Sequence, residues 1–266
     1  MGARAATESA LDTSHARTPK QRRSQESYDR MIKAAIEVIE ERGLGGLTLS
    51  TVSSRSKVSI GSIYNRLESK EALVREVQAV VLQRMEREFA VLVNRVRRRM
   101  LALRELVPTM VWELAHHLRR YAPLLTAFMQ QAERDPLVEE VGHKSYQQNL
   151  IDFQLVLLER KAEFHHPDPE HACNTCFSVV YAALARHLGL GSRPSGRRGA
   201  GDDNWQQLVR DLGAMSLAFM MIDIDQAVEA VHAPPRPLSK KGATDRKSGA
   251  RNNRLAVAAL DRKGHV

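Results

Sequence analysis

The chain has 266 residues, 43% of them apolar, and a formal net charge of +9. It is too long for one small module and apolar enough to bury a core, so one or two packed units are expected. No apolar run approaches the roughly 18–20 residues that span a bilayer, and the N-terminal stretch lacks the apolar centre of a signal peptide, so a cytoplasmic chain without a membrane partner is expected.

The charge is unevenly spread. Residues 1–23 carry a net +3 and residues 233–266 a net +7, which leaves the middle near −1. Both tails are polar, basic and without apolar period, and both are read as disordered arms. Flexible basic arms attract polyanions through counterion release and carry no sequence information. Two cysteines, Cys173 and Cys176, are too few for a disulfide framework.

Between the tails the pattern is helical almost throughout. Tyr28, Met31, Ile32, Ala35, Ile36 and Ile39 recur at helical spacing, and Gly43, Gly45 and Gly46 end that helix. Val77, Val81, Met85, Phe89, Leu92 and Val96 form one stripe of a long helix whose other side is rich in arginine. Pro123 reads as a first-turn residue ahead of Leu124, Leu125 and Phe128. Asp135-Pro136 and Asp168-Pro169 each read as an N-cap followed by proline at the first helical position. A glycine-rich loop covers 189–204. Trp205, Leu208, Val209, Leu212, Met215, Phe219 and Met220 then mark a last amphipathic helix. Strand-like alternation is nearly absent, so the fold class is all-α. The expected division is a basic arm (1–23), a small helical unit (24–75), a larger helical unit (76–232) and a basic tail (233–266).

The segment 48–74 is the most specific. Thr48 caps one short helix bearing Leu49, Val52 and Ser53, and a turn follows at Ser56-Lys57-Val58. Ser59 caps a second short helix, on which Ile63 and Leu67 face inward with Val58. Ile60, Gly61, Ser62, Asn65 and Arg66 fall on the other side. Two short helices joined by a tight turn, the second with a polar outer face, make a helix-turn-helix that reads DNA. Arg55, Lys57, Arg66 and Lys70 face only Glu68 across 48–70, whereas the helix over 24–42 is acidic and is expected to face away from DNA. In the major groove Ser62 and Asn65 can bond base edges, Ile60 can touch a thymine methyl, and Gly61 lets the backbone approach. Tyr64, Lys70 and the Thr48 hydroxyl suit phosphate oxygens, which fix position rather than sequence.

The run from Tyr28 to Leu73 resembles the TetR family of bacterial regulators. Ala34-Ala35, Gly43, Thr48, Val52, Val58-Ser59, Gly61, Ile63-Tyr64, Leu67, Ser69-Lys70-Glu71 and Leu73 carry the likeness, over about fifty residues. The resemblance implies that Thr48, Ser59, Ser62, Tyr64 and Lys70 face DNA. It also implies a homodimer through helices at about 169–188 and 203–222, and an effector pocket in the C-terminal unit. Three positions depart from the family pattern. Lys57 replaces the turn glycine, Val52-Ser53 replaces Ile-Ala, and Leu67 replaces an aromatic residue.

His165, His166, His171, Cys173 and Cys176 are the best metal candidates, but one cysteine pair beside adjacent histidines falls short of four paired ligands, and two small buried thiols are the expected outcome. Trp112, His116, Tyr121, Phe128, Tyr146 and Phe153 are candidates for an effector pocket, set against an ordinary aromatic core. No GxSxG, P-loop or GxGxxG pattern is present, so neither catalysis nor a cofactor is expected. The reading is a ligand-responsive, homodimeric, DNA-binding repressor acting on a palindromic operator of double-stranded DNA. Its rivals are an architectural DNA-binding protein anchored by the tails and a metal- or redox-sensing regulator using Cys173 and Cys176.

Overall fold

The computed structural model describes residues 19–190 and 202–223. Eight α-helices, one 3₁₀ turn and no strand occur among them. The expected all-α class is therefore found. Most of the expected 1–23 arm, most of the 189–204 loop and the 233–266 tail lie outside the described residues.

The helices are α1 (Pro19–Gly46), α2 (Leu49–Ser56), α3 (Ile60–Tyr64), α4 (Lys70–Arg97), α5 (Leu103–Ala132), α6 (Pro136–Leu158), α7 (Pro169–Leu188) and α8 (Asp202–Met220). The first begins inside the stretch read as an arm, so residues 19–23 are helical and not part of a disordered arm. Proline suits the first turn, whose amides have no partner within the helix. The main run of α1 ends at Gly43, which sits at φ 64 where a side chain would crowd the backbone.

α1 to α3 and the start of α4 enclose one end of the core. Met31, Ala35, Ile39, Leu47, Val52, Ile63, Leu73 and Val77 are all buried there. α4 then runs unbroken through the expected boundary at 75/76. Ser69 caps it by accepting from the Ala72 amide at 3.2 Å. α5 is central, packing against α1, α4, α6, α7 and α8.

Pro123 corrects one expectation. It begins no helix but lies within α5, as does Pro108. Pro123 is exposed, so the missing amide falls on the water side, while Tyr121, Leu124, Leu125 and Phe128 around it are buried. A proline inside a helix costs roughly 3 kcal/mol, and each large side chain buried recovers about 1.5–3 kcal/mol. Packing therefore carries the helix through. Asp135 and Asp168 act as expected, accepting from the Leu137 and His171 amides at 3.2 and 2.9 Å.

Candidate nucleic-acid interface

α2 and α3 are held by hydroxyls. At the start of α2 the Thr48 hydroxyl accepts from the Thr51 amide, and the Thr51 hydroxyl accepts from the Thr48 amide, both at 3.0 Å. At the start of α3 the Ser59 hydroxyl accepts from the Ser62 amide at 3.2 Å, and the two serine oxygens lie 2.8 Å apart. Such reciprocal bonds satisfy amides that a short helix leaves without partners.

The turn between them explains two of the sequence departures. Lys57 takes φ 58 and ψ 24, the left-handed conformation that glycine would adopt without strain. Ser53 donates its hydroxyl to the Val58 carbonyl at 2.7 Å, and the Ser56 hydroxyl accepts from the Val58 amide at 3.2 Å. The polar residue in the tight spot thus ties the far side of the turn.

The recognition segment is amphipathic in the expected sense. Ile63 is 0% exposed, with Val58 and Leu67 buried beside it. Ile60, Gly61, Ser62, Tyr64, Asn65 and Arg66 are exposed, Tyr64 at 55%. Helix α3 proper spans five residues, yet Asn65 donates to the Gly61 carbonyl at 3.0 Å and Leu67 to that of Ile63 at 2.9 Å. The turn therefore continues past Tyr64 and keeps Asn65 in line. A methyl group placed on Gly61 would meet nothing among the described residues within 4 Å.

The basic side chains are more committed than the sequence suggests. Arg66 donates to the carbonyl and hydroxyl of Ser24 and lies 5.8 Å from the centre of the Tyr28 ring. Tyr28 in turn donates to Glu76 at 2.6 Å, joining the recognition segment to α1 and α4. Burial first, then the Glu76 carboxylate, pushes the Tyr28 phenol up to about 12. Lys70 donates to the Leu44 carbonyl at 2.8 Å and fixes the start of α4 against the end of α1. Arg55 makes a two-pronged bond to Glu41, 2.7 Å on each prong, which lowers the Glu41 carboxyl and clamps α2 to α1. Arg66 and Lys70 thus each have a partner within the chain, and sequence spacing alone shows none of these partners.

The six effector candidates do not converge. Phe128 and Tyr146 line a cavity of about 280 Å³ between α4, α5, α6 and α7. His116 lines a separate cleft between α4 and α5, and its Nδ1 lies 2.8 Å from the Trp112 carbonyl oxygen. Trp112 is exposed on α5 beside His116. Tyr121 is buried and donates to Glu88 at 2.8 Å. Phe153 is fully buried against Phe177, an aromatic core position. Sequence reading missed the polar members of the cavity, Gln78, Ser145 and Asn149. A signal existed: Ser145 and Asn149 interrupt at helical spacing the same buried face that continues through Phe153 and Val156.

Cys173 and Cys176 are buried free thiols, and Cys176 donates to the Ser216 carbonyl at 3.7 Å. Among the described residues no three histidine, cysteine or acidic side chains come together as a metal site. Burial pushes the two thiols up to about 12 and about 11, far from the thiolate that reacts or binds metal. No described helix is long and apolar enough to cross a membrane.

Two capped short helices with a buried back and an exposed polar front define a helix-turn-helix protein. Residues 31–77 match the model of bacterial regulatory proteins of the tetR family, so this segment is similar to that family's helix-turn-helix unit. The surrounding fold agrees. A protein from Mesorhizobium loti described as a TetR-family transcriptional regulator superposes with a TM-score of 0.60 at 17% identity, over 74% of this chain and 96% of that one. A transcriptional regulator from Cytophaga hutchinsonii gives 0.57 at 14% identity, over 73% and 98%. A protein from Saccharomonospora viridis described as a transcriptional regulator, solved in complex with choline, gives 0.56 at 14% identity, over 70% and 95%. No curated protein matches the chain.

Proposed function

We propose that the protein is a homodimeric repressor that reads a palindromic DNA operator with α3 and releases it when a small molecule occupies the larger unit. One observation carries this reading: α3 turns Ile60, Gly61, Ser62, Tyr64 and Asn65 outward while Ile63 and Leu67 anchor it from behind. Ser62 and Asn65 suit base edges, and Ile60 suits a thymine methyl. Thr48, Ser59 and Tyr64 suit phosphates, with Lys70 and Arg66 holding the segment in place. Glycine inside a helix costs about 1 kcal/mol relative to alanine, and no contact among the described residues requires it at 61. A surface that comes close from outside, such as the wall of a DNA groove, gives that glycine a reason.

Dimerisation is supported by α8. Met215 on α8 is 59% exposed, Ile222 just past the end of α8 is exposed too, and Leu208 on α8 is only partly buried. Val179 on α7 is exposed as well. A two-fold dimer would read half-sites about one helical turn of DNA apart, roughly 34–36 Å, or a multiple of that. The place of action is then the cytoplasm, on the nucleoid.

The test is a salt titration of binding to an operator selected from a random DNA pool, against random duplex of equal length. A specific regulator prefers its operator by roughly 10³-fold or more at physiological salt. Equal affinity for both DNAs would favour an architectural protein anchored by its basic tails.

A further inference from the structure

We propose that the far end of α4 from the recognition segment, where the chain turns into α5, is a second DNA-binding surface that holds the phosphate backbone of another duplex. The α3 reading above supplies the first duplex; the surface itself stands on its own residues.

α4 carries this surface away from the recognition segment. It starts three residues after Leu67, and at 1.5 Å per residue its 28 residues span about 42 Å. Arg98 and Arg99 follow its last turn, and Met100 takes φ 52 before α5 begins at Leu103. Arg104 stands in the first turn of α5. Arg160 brings in the end of α6 by donating to the Leu101 carbonyl at 2.9 Å, with Lys161 next in the chain.

The charge here is in excess of its local partners. Arg95 and Arg97 are paired, with Glu113 on α5 and with Glu159 just past α6. Arg98, Arg99, Arg104 and Lys161 are exposed, and none has a carboxylate partner among the described residues. Two bland explanations fall short. The helix dipole favours cations at a helix C-terminus, which covers Arg97 and Arg98; Arg104 sits at a helix N-terminus, the unfavourable end. Steering toward the operator fails on distance. Charges are screened over about 8–10 Å at ordinary salt, and this surface lies roughly four such lengths from the start of α4.

The side chains select phosphate. Arginine dominates the unpaired group, and its planar fork meets phosphate oxygens two at a time. A protein partner or a bilayer calls for large apolar anchors, and across 98–102 the one large apolar side chain exposed is Met100.

The test loads full-length protein onto an immobilised duplex carrying the selected operator, then titrates a labelled random duplex at several salt concentrations. The loaded protein should capture the second duplex. Arg98→Gln/Arg99→Gln/Arg104→Gln should capture it at least about tenfold more weakly, with a salt slope lower by about 2–3. Each single glutamine substitution should lower the slope by about 0.9, a readout that remains if the triple variant folds poorly. Operator affinity should stay at the parental value in all of them. Arg98→Lys/Arg99→Lys/Arg104→Lys keeps the charge and should capture within about threefold of the parent. The basic tails are common to every protein compared, so they cancel. Parental capture by the glutamine variants, an equal loss in the lysine variant, or weakened operator binding would each overturn the proposal. So would tighter binding of phosphatidylglycerol vesicles or polyglutamate than of duplex through the same arginines. If no operator can be selected, the α3 reading fails by its own test. Immobilised random duplex then replaces the operator, and arginine-dependent capture of a second duplex sustains this surface alone.

Discussion

Replacing Lys57 by glycine should make the protein more stable. Lys57 holds φ 58 and ψ 24 at the turn between α2 and α3, where a side chain on an L-residue costs roughly 1–2 kcal/mol. Glycine escapes that crowding but loses about 0.5–1 kcal/mol more through chain entropy. The balance favours Lys57→Gly by about 0.5–1 kcal/mol, which is roughly 1–4 °C in melting temperature for a chain of this size. The lysine side chain is exposed, so its loss leaves no cavity. Urea and thermal unfolding of a series at 57 should rank glycine first, asparagine next, then lysine and alanine, with valine last, because branched residues tolerate this conformation least. DNA affinity should fall only by the electrostatic share of one cation, lowering the salt slope by about one. A glycine variant no more stable than lysine or alanine would show that the turn is not left-handed in solution, and the α2–α3 geometry argued from it would fail.

Other outcomes follow from named contacts. Ser53→Ala should cost about 1 kcal/mol by urea unfolding, because the hydroxyl that donates to the Val58 carbonyl at 2.7 Å is removed. Tyr28 and Tyr121 both titrate near 12 in the folded protein, above about 10 when unfolded. Their contribution is therefore complete below pH ~10 and is lost as pH rises from there through ~12, and Tyr28→Phe and Tyr121→Phe should flatten that alkaline limb of the stability curve. Native Cys173 and Cys176 should react with a thiol reagent many times more slowly than in urea; fast native labelling would contradict their burial and reopen redox sensing. Met215→Glu should shift the sedimentation of the protein from dimer to monomer, while an unchanged dimer would move the interface away from α8.

The parts of this fold that sequence made legible are those set by local chemistry. Asp135-Pro136 and Asp168-Pro169 mark helix starts because cap and proline act within one turn. The inward side of α3 was legible because Val58, Ile63 and Leu67 share one helical face. What sequence hid depends on distant partners. Pro123 resembles a helix start, but burial of its neighbours against other helices carries α5 through it. The contacts of Arg66 with Ser24 and Tyr28, some forty residues earlier, leave no mark in the local sequence. Trp112 and Phe153 look alike in sequence, and tertiary packing puts one at the surface and the other in the core. The effector candidates were chosen for aromaticity, whereas Gln78, Ser145 and Asn149 also line the cavity.

The most direct test of the DNA-reading claim compares two adjacent exposed residues of the recognition segment. Sites selected from random duplex by Tyr64→Ala and by Asn65→Ala are compared with those selected by the parent protein. The account predicts that Tyr64→Ala selects the same sequence with lower affinity throughout, and that Asn65→Ala relaxes preference at one position in each half-site, a change of about 1–3 kcal/mol there. If both variants select the parental sites with parental affinity, α3 does not lie in the groove.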